Sequence, residues 1–115
     1  WDKKITVDIT TLDELIKKFG DPKFIKIDVE GFEHEVLLGL TKKSGIISFE
    51  FASEFIENAY KSIDYLISIG YTEFNYSLGE RRKFYTQWSN ANTIKEGLKN
   101  NIKEDDLLWG DLYCK

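Results

Sequence analysis

The stretch Phe24-Ile25-Lys26-Ile27-Asp28-Val29-Glu30-Gly31 constrains this chain more than any other. An apolar, β-forming run stops there at two acidic residues and a glycine, and a helical pattern follows at once. Such a pattern is a strand that delivers carboxylates to its carboxyl end. In open α/β sheets ligands bind in the crevice beyond those ends, so Asp28 and Glu30 are the first candidates for chemistry. A plainer reading stands beside this one. Acidic residues and glycine also serve as strand-to-helix turn residues, with the acidic groups favoured by the positive end of the next helix.

The flanking sequence reads as alternating strands and helices. Residues 4–10 alternate, with Ile5, Val7 and Ile9 on one side, which predicts a half-buried strand. Thr11 and Glu14 stand in the capping-box arrangement. Leu12, Leu15, Ile16 and Phe19 form an apolar helical face, and Gly20 marks its stop. Asp21-Pro22 turns the chain into the strand at residues 24–28, and Phe32, Val36, Leu37 and Leu40 predict a short helix over residues 32–42. Residues 46–51 repeat the earlier design, an apolar strand with Glu50 near its carboxyl end. Two such strands joined by a helix read as a parallel βαβ unit. The longest helix is expected over residues 54–69, ended by Gly70.

Beyond it, residues 71–77 alternate aromatic and polar side chains, Leu78-Gly79-Glu80 makes a turn, and residues 83–88 read as the returning strand of a hairpin. Asn92 or Thr93 is the expected cap of a further helix, with Ile94 and Leu98 facing inward. Residues 107–114, interrupted by Gly110 and Asp111, read as a final strand. No repeat or linker interrupts this order, so one body is expected.

Composition narrows the function. A net charge of −4 and a pI near 5.0 disfavour nucleic acid and anionic membranes as partners, because such binding rests on clustered Lys and Arg. No apolar run approaches the length of a membrane span, and no leader pattern is visible. The single cysteine, Cys114, cannot form an internal disulfide. A reducing compartment is therefore allowed, and a cytoplasmic location is the expectation. The chain begins at Trp1 and contains no methionine, which we read as a piece of a longer protein.

The segment Thr11-Leu12-Asp13-Glu14-Leu15, followed by Phe24 to Glu33 with Val36-Leu37 and Gly39-Leu40, closely resembles the FkbM-type family of S-adenosylmethionine-dependent methyltransferases. Trp109-Gly110-Asp111-Leu112-Tyr113 is similar to that family's closing strand. The resemblance implies the C-terminal half of a Rossmann-like class I methyltransferase fold, a mostly parallel sheet with an antiparallel closing strand. It also implies that the donor-binding N-terminal half, with its glycine-rich loop and ribose-binding acidic residue, lies outside these residues. No glycine-rich turn between a strand and a helix occurs in this sequence. S-adenosylmethionine is thus the cofactor expected of the parent, and the piece alone is expected to be inactive.

Methyl transfer to a hydroxyl needs in-line approach and a destination for the hydroxyl proton, so a positioned carboxylate can orient the acceptor or take its proton. Asp28, at the strand end, is the first candidate for that role, and by resemblance its turn also lines the donor. Glu30 is the second, with turn stabilisation as its plainer role. Glu50, at the end of the adjacent strand, is expected to face the same crevice. Asp28, Glu30 and Glu50 together have the oxygen chemistry for Mg²⁺ or Ca²⁺, but nothing in their spacing fixes them around an ion, and no metal site is assigned. His34, the only histidine, follows closely enough to serve as a base, and a solvated helix position is its plainer reading. Arg81 and Arg82, beside Lys83 at the expected hairpin tip, are a solvated turn or a lip that grips an acceptor. The acceptor expected is a hydroxyl on a sugar, glycan or small metabolite. The competing function is a non-catalytic α/β module that binds a ligand or partner through its aromatic hairpin.

Overall fold

The computed structural model describes residues 10–29, 31–81 and 83–115. The strand expected at residues 4–10 lies, but for Thr10, outside them.

Helix α1, Leu12–Phe19, begins where the sequence places it: the Thr11 hydroxyl accepts the Glu14 amide at 3.1 Å. It ends at Gly20, whose φ of +93° suits glycine. Strand β1 (Phe24–Ile27) follows, then the five-residue helix α2 (Glu33–Leu37), strand β2 (Ile46–Ala52) and a 3₁₀ turn, Ser53–Phe55, that leads into helix α3 (Ile56–Ser68). Helix α2 is shorter than expected. Beyond Leu37 the chain tightens into single turns, with Gly39 and Leu40 amides donating to Val36 and Leu37 carbonyls, yet Leu40 still reaches the core. Strand β3 (Phe74–Leu78), helix α4 (Ala91–Glu104) and strand β4 (Trp109–Cys114) complete the order. Asn90, not Asn92 or Thr93, caps α4, its side chain accepting the Thr93 amide at 2.9 Å.

The four strands form one mixed sheet in the order β1-β2-β4-β3. Strands β1 and β2 are parallel, and β4 runs antiparallel to both β2 and β3. Three strands therefore point one way and the last in sequence lies reversed between two of them.

Alternation along the strands separates two faces. Ile27, Ile47, Phe49, Phe51, Phe74, Tyr76, Leu112 and Cys114 are buried in one core with Ile63 and Leu66 of α3 and Ile94 and Leu98 of α4. The other face carries Lys26, Ser48, Glu50, Asp111, Tyr113, Asn75 and Ser77. Tyr71 locks the turn before β2 to the end of α3. Its hydroxyl accepts the Ser44 amide at 3.1 Å and donates to the Gly45 carbonyl at 2.8 Å, and burial pushes its pKa up to about 12.

The returning strand expected at residues 83–88 is not formed. Strand β3 finds its partner in β4, and residues 83–88 run irregularly along the outer side of β3. Among the described residues, the Tyr85 amide to the Tyr76 carbonyl, the Asn75 side chain to the Thr86 carbonyl and a bridge between Phe74 and Ser89 tie it to β3. The Tyr76 amide is taken by the Asn75 side chain at 2.9 Å, which removes a donor that a ladder would use. The aromatic residues there cover their neighbours instead of alternating across a sheet: Phe84 packs edge-on against Trp88 and Tyr113, and Tyr85 against Tyr76.

Candidate active site

Asp28 follows the last residue of β1 and is exposed. The turn beyond it is held from two sides. The Gly31 amide donates to the Glu33 carboxylate at 3.0 Å, and the Gly31 carbonyl accepts the Asn58 side-chain amide of α3 at 2.9 Å. Gly31 has φ of +93°, a conformation other residues resist. Glu33 is only 7% exposed, so a charged group has been buried to secure one glycine peptide. Glu33 and Asn58 thus fix the path of the chain immediately after Asp28.

Two cavities flank the carboxyl ends of β1 and β2. One, of about 290 Å³, lies between the Gly31 turn, the end of β2 and the start of α3, and is lined by Glu33, Glu50, Phe51, Phe55 and Asn58 among others. The second, of about 240 Å³, opens on the polar face of the sheet and is lined by Lys26, Asp28, Glu50, Trp109 and Asp111, with Gly79 and Glu80 at its rim. Glu50 borders both.

Strand register organises the second cavity. Asp111 is the cross-strand partner of Glu50 on one side and of Ser77 on the other, so a polar row crosses three strands. Burial raises the pKa of Asp111, the charge of Lys26 opposes that rise, and Asp28 adds to it. The charge of Asp28 therefore reaches Asp111 across the cavity.

The candidates named from sequence are distributed unevenly. Asp28 and Glu50 meet at the second cavity. His34 does not line either cavity. It lies half-buried against α3, its ring edge-on to Tyr65 with centroids 6.5 Å apart, and its Nδ1 is buried without a hydrogen-bond partner among the described residues. Arg81 is exposed in the turn after β3 and borders a separate depression with Asp105 and Trp109. Glu30 and Arg82 lie outside the described residues. Among the described residues, no three His, Cys, Asp or Glu side chains are grouped to hold a metal ion, and no helix is long and apolar enough to cross a membrane.

Lys26, Glu33, Asn58, Trp109 and Asp111 were not singled out from sequence. For Asp111 a signal existed: it is the one acidic residue within the alternating final strand. For Asn58 none did, since it is one polar residue among several on α3.

Compared with known families, residues 1–88 match the methyltransferase FkbM domain. The chain belongs to the FkbM methyltransferase family. No curated protein and no solved structure matches it. The matched region of this FkbM chain includes Asp28, the Gly31 turn, Glu33, Glu50 and Asn58, while α4 and β4, with Trp109 and Asp111, follow it. Family membership suggests methyl transfer as the activity class.

Proposed function

We propose that these residues form the acceptor-facing part of an S-adenosylmethionine-dependent O-methyltransferase, the C-terminal portion of a Rossmann-like domain whose donor-binding half lies upstream in a longer protein. The observation that carries the reading is Asp28 at the carboxyl end of β1, on a turn clamped by Glu33 and Asn58 and open to a cavity shared with Glu50. The β1-β2-β4-β3 order, with a reversed strand between two others, supports the fold assignment.

The described residues suit one side of the donor. Val29 and Phe32, 38% and 64% exposed beside Asp28, offer apolar surface to a ring, and the Asp28 carboxylate offers an acceptor to a hydroxyl or ammonium group. The remaining donor contacts are assigned to the upstream half. When bound, the donor supplies an electrophilic methyl group. Asp28 holds the acceptor hydroxyl in line and takes its proton as the oxygen reacts, the general-base role that its position at a fixed strand end permits. Glu33 and Asn58 keep that carboxylate in place. Glu30 is assigned to the same turn, and Arg81 and Arg82 to the rim where the acceptor enters.

In the full-length protein, Asp28→Asn is expected to lower turnover by ~10²-fold or more, the scale of a general base, with the fold unchanged. Near-normal turnover in that variant removes Asp28 from the mechanism.

A further inference from the structure

We infer that the cavity of about 290 Å³ between the Gly31 turn and the start of α3 binds a protonated amine on the acceptor, so that the substrate class is a hydroxylated organic amine. This deepens the proposed function and rests on it for the identity of the bound molecule as acceptor. Glu50 borders both this cavity and the one that Asp28 lines, so a molecule seated here by its ammonium group extends toward Asp28.

The first observation is the state of Glu33. It lines the cavity, is only 7% exposed and takes part in no ion pair among the described residues. One carboxylate oxygen accepts the Gly31 amide at 3.0 Å, and the other has no hydrogen-bond partner among the described residues. Buried charges are ordinarily paired, because one taken out of water without a partner is costly. Securing the Gly31 peptide uses half of this carboxylate. The half left over opens on the cavity.

The second observation is the inventory of donors. The Asn58 side-chain amide is committed to the Gly31 carbonyl at 2.9 Å, and the Ser62 hydroxyl to the Asn58 carbonyl at 2.8 Å. Among the described residues, no Lys, Arg or His lines the cavity. Its side chains therefore have acceptors to spare, in Glu33 and the Asn58 oxygen, and no spare amide or hydroxyl proton. A ligand that fits must donate. An ammonium group brings three donors and the missing positive charge.

The third observation is the aromatic wall. Phe51 closes the cavity from the sheet, and Phe55, 57% exposed just before α3, stands at its open side. An aromatic face attracts a cation and covers the apolar carbons that carry it. Other ligand classes fit less well. An anion would meet Glu33, Glu50 and Glu54 with no lining cation among the described residues. A wholly apolar molecule would strip water from the open Glu33 oxygen without replacing it. A metal ion needs several ligands at once, and among the described residues no three carboxylates are grouped to supply them.

The test uses the full-length protein at neutral pH and titrates three probes of one shape, benzylamine, benzyl alcohol and benzoate, by saturation-transfer NMR. Benzylamine is expected to bind at least ~10-fold more tightly than benzyl alcohol, the scale of a charge-assisted hydrogen bond, and benzoate not at all. Glu33→Gln keeps an acceptor for the Gly31 amide and removes the charge, and should weaken benzylamine ~10-fold while leaving benzyl alcohol unchanged. Phe55→Ala should weaken benzylamine ~5-fold, with Phe55→Tyr retaining the affinity. Glu57→Gln removes an equal charge from the exposed first turn of α3, outside the cavity lining, and should leave binding within about twofold of wild type. Circular dichroism checks that each variant is folded, and Phe55→Ala decides the matter if Glu33→Gln is not. Saturating S-adenosylmethionine should not displace benzylamine. Equal binding of the three probes, undiminished binding in Phe55→Ala or in folded Glu33→Gln, a loss in Glu57→Gln equal to that in Glu33→Gln, or displacement by the donor overturns the inference. The proposed function fails separately, through normal turnover in Asp28→Asn, so loss of one does not entail loss of the other.

Discussion

Removing the Glu33 carboxylate should loosen the turn after Asp28 by an amount that can be worked out from its contacts. Glu33 is buried and accepts one hydrogen bond, from the Gly31 amide at 3.0 Å. A hydrogen bond to a charged group contributes ~2 kcal/mol, and Glu33→Ala also leaves that amide without its partner. If the turn opens locally, ~2 kcal/mol corresponds to ~30-fold faster amide exchange, since each ~1.4 kcal/mol is tenfold. Hydrogen–deuterium exchange on the full-length protein, read over the peptide spanning residues 28–36, measures this directly, with α4 as an internal reference that should not change. Glu33→Gln keeps an oxygen acceptor and should fall between wild type and alanine. Asn58→Ala removes a neutral hydrogen bond to the same glycine and should accelerate exchange ~5-fold by itself. Because both side chains grip one residue, the double variant should fall short of the product of the single effects. Exchange over 28–36 that stays within about twofold of wild type in Glu33→Ala would show that the clamp contributes nothing.

Three further outcomes are expected. Gly110→Ala should destabilise the protein by ~3 kcal/mol in urea denaturation: an added Cβ would lie 1.9 Å from the Ser77 carbonyl oxygen, so β3 and β4 would have to part. An unchanged midpoint would mean that the two strands do not meet in this register. Asp111→Asn should raise the melting temperature near pH 7. Burial raises the Asp111 pKa above 3.8 in the folded protein, so the folded state holds that proton more tightly and stability falls as pH rises through the folded value. The gain should vanish in acid below the ordinary carboxylate pKa, and a variant less stable than wild type at pH 7 would contradict the assignment. Residues 1–115 expressed alone should self-associate and bind no donor, because Phe24 is 50% exposed on the outer strand of the described sheet. Sedimentation showing a stable monomer, with calorimetry showing donor binding, would refute this.

Much of the fold is legible in local pattern. Thr11 caps α1 as its spacing with Glu14 implies, β1 and β2 occupy their apolar runs, and α3 fills the long amphipathic stretch. The parallel pairing of β1 with β2 also holds, and what fails depends on other partners distant in sequence. Residues 83–88 read as the returning strand of a hairpin, yet the place beside β3 belongs to β4, and Phe84, Tyr85 and Trp88 pack on Tyr76, Tyr113 and one another. Asn90, Asn92 and Thr93 all have capping side chains, and the choice among them depends on the bridge between Phe74 and Ser89 that ends just before α4. The site divides in the same way. Asp28 is visible at the end of an apolar run, whereas Asn58 reaches Gly31 from 27 residues away, and Asp111 meets Glu50 only through strand register.

The position of β4 bears on how the chain is made. Residues 109–114 form the strand between β2 and β3, and β3 has no other strand partner among the described residues. During synthesis, α3 and β3 leave the ribosome before the segment that joins β3 to the sheet. Until that segment emerges, Phe49, Phe51 and Tyr76 lack the strand that carries Leu112 between them. The nascent domain must therefore wait, with an incomplete apolar face open to chaperones or to misassembly. A product that stops before residue 109 would lose the bridge between two halves of its sheet.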